Sequence, residues 1–87
     1  MKSGNEHLSS RPSAFQVLIE KSLDLAQESE LSGQRISDHL TKRYYGRLRP
    51  SELELSNSAL RERATWFFQR AEDFRLAALR IAEISQS

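Results

Sequence analysis

Residues 51–85 read SELELSNSALRERATWFFQRAEDFRLAALRIAEIS, a run with neither Pro nor Gly. Within it Leu53, Asn57, Leu60, Ala64, Phe67, Ala71, Phe74, Ala78, Ile81 and Ser85 follow alternating steps of four and three. That spacing is the mark of an apolar stripe along one α-helix. Trp66, Phe68, Leu79 and Ala82 widen the stripe beyond a two-stranded coiled-coil seam, so the helix needs more than one neighbour. Ser56, Asn57 and Ser58 admit two readings: one unbroken helix, or a break after which Asn57 or Ser58 caps a new start. The break is favoured, because Ser and Asn side chains bond their own backbone outside helices. The expected elements are a short helix at 51–56, opened by Ser51 and Glu54 at capping-box spacing, and a long helix at 58–85.

Upstream, Pro50 ends any preceding helix, since its ring clashes with the turn before it. Before it lies TKRYYGRLRP, residues 41–50, with four cations and two tyrosines. Ile36, Leu40 and Tyr44 recur at four-residue intervals, which predicts a second helix over 34–45 with Gly46 placed to end it. A first helix is expected over about 12–32. Pro12 stands before it, Ser13 and Gln16 have capping-box spacing, and Gly33 suits a left-handed C-terminal residue. Its apolar side carries Phe15, Leu18, Ile19, Leu23, Leu25 and Ala26; Glu20, Lys21, Asp24, Gln27 and Glu28 take the other. Residues 1–10 are polar and read as a flexible tail. The predicted fold is therefore all-α, with three or four helices in one domain over 11–87, packed as an antiparallel hairpin or bundle.

The chain has 87 residues, enough for one domain and a small core. A core that small is commonly supplemented by oligomerisation. A homodimer through Leu60, Phe67, Phe74 and Ile81 of the long helix is therefore expected. Cys is absent, which excludes disulfides, thiolate metal sites and cysteine nucleophiles. No apolar run reaches the ~20 residues of a membrane span, and MKSGNEHLSS lacks the core of a secretory signal. The expectation is a cytoplasmic protein that does not enter the membrane. Net charge is +1, with the bias confined to residues 35–50, where five cations meet one anion.

Catalysis needs a convergent set of groups, and the sequence offers few. His7 and His39 form no i, i+4 pair, and no HExxH motif is present. Asp38 beside His39 resembles a base and its orienter in writing only, because adjacent helical residues point about 100° apart. Glu20, Asp24, Glu28 and Glu30 share one helical side without calcium-loop spacing, and read as a solvated face. The glycines are isolated, so no phosphate-cradling loop is encoded. No enzyme activity, metal or cofactor is expected.

The basic stretch admits two functions. Lys42, Arg43, Arg47 and Arg49 are able to neutralise phosphates, with Tyr45 stacking on an unpaired base. Cations also belong at a helix C-terminus because they complement its dipole. A helix-turn-helix over Gln34–Leu60 would open its recognition helix with Glu52 and Glu54, which repel phosphates. Trp66, flanked by Arg63 and Arg70, has the composition of an interface centre, or else packs on Tyr44 or the first helix. The favoured reading is a small regulatory or adaptor protein. It would bind a larger protein with an acidic surface through Lys42, Arg43, Tyr45, Arg47, Arg49 and Trp66. A nucleic-acid-binding regulator using Lys42–Arg49 ranks second.

Overall fold

The computed structural model describes residues 13–41 and 47–86. Two long helices, α1 (Ala14–Leu40) and α2 (Asn57–Gln86), pack against each other, with one turn of 3-10 helix (Pro50–Glu52) between them. No strand occurs among the described residues, so the all-helical class is as expected. The predicted tail at 1–10, and the end of the predicted second helix with Tyr44, Tyr45 and Gly46, lie outside the described residues.

The first correction concerns Gly33. The sequence reading ended one helix there and began another at Gln34, yet α1 runs through it in one piece. Gly33 is buried, and a Cβ built on it would lie 3.1 Å from the Phe68 ring and 3.2 Å from the Ala64 carbonyl oxygen. The missing side chain serves helix contact here, not chain reversal. The buried row Ala26, Ser29, Gly33, Ile36 continues through the glycine in steps of three and four. That continuity outweighs the ~1 kcal/mol that glycine costs inside a helix.

Capping is partly as the sequence implies. The Gln16 N–H donates to Ser13 Oγ at 3.0 Å, fixing the start of α1. At the other end Thr41 Oγ1 donates to the Ser37 and Asp38 carbonyls at 3.1 and 3.2 Å. The break before α2 is real, but its cap is Ser56, whose Oγ accepts the Ala59 N–H at 3.1 Å. The expected helix at 51–56 is replaced by the three-residue 3-10 turn, with Pro50 as its first residue. Pro fits there because its absent N–H has no helical partner to lose.

The helices run antiparallel, since Ile36 meets Leu60 near the connection while Ile19 and Leu23 share a hollow with Ala78 and Ala82 at the far end. Their contact rows are built from small residues: Ala26, Ser29 and Gly33 on α1, and Ala64, Ala71 and Ala78 on α2. Larger side chains fill only the closed end, where Ile36, Leu60 and Ala64 are backed by Leu40, Leu48, Leu55 and Phe67. A surface ion pair, Arg75 to Glu30, crosses the middle. Leu60 is 1% exposed inside this single chain, so it is not available to a second copy as the sequence reading proposed. The reason is that α1 already covers the Leu60 end of that row. Phe67, Phe74 and Ile81 sit at the edge of the contact and are half-buried.

The close approach at Gly33 generates a prediction. Gly33→Leu should separate the helices and lower stability by about 3 kcal/mol, as overpacking of a tight contact does. Gly33→Ala should stay within ~1 kcal/mol of the parent, because better helix propensity opposes the crowding of Phe68 and Ala64. Urea titration followed by helical circular dichroism measures both. A Gly33→Leu chain as stable as the parent would remove the contact from the account.

Candidate partner-binding groove at the arginine end

The connecting segment is organised by one buried carboxylate. Glu52 is 1% exposed and accepts from Arg35 Nη1 at 2.6 Å and Nη2 at 3.1 Å, a two-pronged pair across seventeen residues of chain. Its Oε1 also accepts the Arg49 N–H at 2.8 Å, while Arg63 Nε stands 3.6 Å from Oε2. Arg35 Nη1 further donates to the Arg47 carbonyl at 2.8 Å. Glu52 thus connects α1, the loop and α2. The Arg49-to-Glu52 bond takes the place of the expected Ser51 and Glu54 capping box.

These donors hold the Glu52 carboxyl well below its ordinary range, from 4.5 to about 2. The Arg35 hydrogen bonds are the main cause; burial opposes the shift, and the Arg49 N–H and the charges of Arg35 and Arg63 add to it.

Beside this knot a groove of about 540 Å³ opens between the helices. Leu25, Phe67 and Phe74 supply its apolar lining, and Arg35, Arg49, Arg70 and Glu28 its charged groups. Arg70 lies 5.1 Å from the centroids of both the Trp66 and Phe74 rings, held between two aromatic faces. Trp66 sets its edge on Phe67, centroids 5.1 Å apart at 70°, and remains 54% exposed. Five arginines on or near the groove therefore divide. Arg35 and Arg63 serve Glu52, and Arg75 serves Glu30. Arg49 and Arg70 have no carboxylate partner among the described residues.

Of the residues predicted to bind a partner, Arg49 lines the groove, and Trp66 joins it through Arg70. Arg47 is exposed, with its carbonyl taken by Arg35, and does not line the groove. Lys42, Arg43 and Tyr45 lie outside the described residues. The sequence reading counted Glu52 with Glu54 as charges that repel phosphates; Glu52 is buried and paired with Arg35, so that objection rests on Glu54 alone. A Pro with Glu two residues on was the local signal for the turn. Nothing local marked Arg35 as the partner. Asp38 does not orient His39: it accepts from Gln34 Nε2 at 2.9 Å. No group of three or more His, Asp or Glu able to hold a metal ion occurs among the described residues. No described helix is long and apolar enough to cross a membrane.

Because the folded pKa of Glu52 lies below the unfolded one, its contribution is complete above about pH 4.5 and disappears as pH falls towards 2. The full displacement corresponds to about 3 kcal/mol. Denaturation midpoints should drop across that window in the parent and drop by clearly less in Glu52→Gln, which should already be destabilised by about 3 kcal/mol at pH 7. Equal slopes in the two chains would show that Glu52 carries no such linkage. No family model matches this chain, and comparison with curated proteins and with solved structures finds no match either.

Proposed function

We propose that this chain is a small, non-enzymatic regulatory or adaptor protein of the cytoplasm that binds a larger protein through the arginine end of its groove. The observation that carries this reading is the pair Arg49 and Arg70, free of in-chain carboxylates among the described residues, set beside Phe67 and a half-exposed Trp66. Aromatic and Arg side chains grouped on an apolar floor are the composition of an interface centre. The free guanidinium charges select a partner segment with acidic residues beside apolar ones, and steer its approach. Glu28 on the opposite wall sets orientation by rejecting carboxylates there. Action is stoichiometric: the partner's segment fills the groove and excludes water from it.

Trp66 is the one tryptophan of the chain, so its emission reports on the groove directly. Addition of the captured partner should shift that emission to the blue, and Arg49→Glu combined with Arg70→Glu should abolish both shift and capture while helical content stays unchanged. Single-stranded oligonucleotides should bind weakly and lose what binding they have as salt rises. Tight oligonucleotide binding at physiological salt, lost in the same double variant, would replace this reading with the nucleic-acid one.

A further inference from the structure

The half of the hairpin away from the connection is poorly filled. Among the described residues the buried apolar side chains are Ala26, Ile36, Leu60, Ala64, Ala71 and Ala78, and both large ones lie at the closed end. In the open half, on the groove side, Phe15 and Leu18 are 43% and 51% exposed, and Leu25, Phe74 and Ile81 are no more than half-buried. Isolated apolar residues on a surface are ordinary; a continuous strip on both helices asks for a cover.

We infer that the cover is a second copy of this chain, laid antiparallel over the open half of the groove face. Leu18 and Leu25 are seven residues apart on α1, and Phe74 and Ile81 are seven apart on α2. At helical spacing each pair stacks on one side of its helix. Leu25 and Phe74 line the same groove, and Leu23 and Ala78 share one hollow, so the midpoints of the two pairs lie level across the hairpin. A single two-fold axis perpendicular to the helices then serves both. It sets Leu18 of one copy on Leu25 of the other, and Phe74 on Ile81. Such an isologous contact closes on itself and leaves no unmatched strip to propagate.

Charge chooses between this arrangement and the parallel one. A two-fold along the groove would match the same apolar residues, but it would place the Arg49 and Arg70 of both copies side by side. Like charges brought within a Debye length of about 8 Å repel. The antiparallel arrangement puts the two arginine ends at opposite extremities and brings Lys21 of each copy within reach of Asp24 of the other. The inference shares Leu25 and Phe74 with the far end of the groove, but it leaves the arginine end, with Arg49 and Trp66, uncovered. It also keeps Phe74 and Ile81 of the expected dimer row, which α1 leaves half-buried, and releases Leu60, which α1 covers.

The chain has no cysteine, so single introduced thiols report geometry cleanly. Ala77 stands at the proposed axis and is half-buried, whereas Ser56 is exposed at the closed end. Sedimentation should give a dimer at micromolar concentration. Mild oxidation should link Ala77→Cys into a disulfide dimer and leave Ser56→Cys unlinked. Leu18→Glu, at a site 51% exposed within one chain, should weaken association about 30-fold or more. Arg49→Glu alone, which weakens the adaptor site at a residue that does not touch Phe74, should leave the dimer intact. A monomer at micromolar concentration, or a dimer in which Ser56→Cys links and Ala77→Cys does not, would overturn the inference.

Discussion

Glu52 is the point on which the connection depends. A carboxylate that is 1% exposed is tolerable only if its charge and its lone pairs are satisfied, and here a guanidinium from α1 and a backbone N–H from the loop do so together. The bonds are directional, so they determine more than stability. They hold Arg35 against the loop, bring Arg63 of α2 close, and fix the backbone at Arg49. With its N–H anchored, Arg49 sits on the groove wall. Loss of Glu52 would leave Arg35 partly buried without a counter-charge, which is why removal of one partner from such a pair harms more than its formation helps.

The second constraint is the small-residue contact between the helices. Gly33, Ser29 and Ala26 facing Ala64, Ala71 and Ala78 let the backbones come close, as the 3.2 Å from a Gly33 Cβ to the Ala64 carbonyl oxygen shows. Closeness has a consequence for size. Alanines exclude little apolar surface from water, at about 25 cal/mol per Å², so the large residues are displaced to the edges of the contact. Phe67 and Phe74 stand on one edge and become the groove floor, while Phe68 and Leu79 stand on the other. The thin core and the groove are therefore two results of the same packing.

Together these constraints make the hairpin polar along its length. The closed end holds the ion pair, the large buried residues and the uncommitted arginines; the open end holds exposed aliphatic and aromatic surface. Pairing of Arg35 and Arg63 with Glu52 matters for recognition as well as for folding, because it commits those two guanidiniums within the chain and leaves Arg49 and Arg70 as the uncommitted charges at the groove. The Trp66, Arg70 and Phe74 stack holds one of those charges in place.

Helical class, the start of α1 at Ser13, the break near Ser56 and the amphipathic character of both helices were legible in the chain, because capping and 3.6-residue periodicity are local physics. Trp66 and Arg49 could also be singled out as residues that local structure does not require. Three other features were decided only in three dimensions. Gly33 is locally a helix terminator, yet it lies in the helix interior, where α2 passes so closely that even a Cβ crowds Phe68 and the Ala64 carbonyl. Leu60 belongs by its spacing to the same row as Phe67, Phe74 and Ile81, yet a partner helix covers only part of a stripe, and which part depends on the crossing. Glu52 reads as a surface charge until Arg35, seventeen residues earlier, is folded against it. Periodicity reports which residues share a face; it carries no information on which distant group will meet that face, and the charge of the groove follows from that meeting.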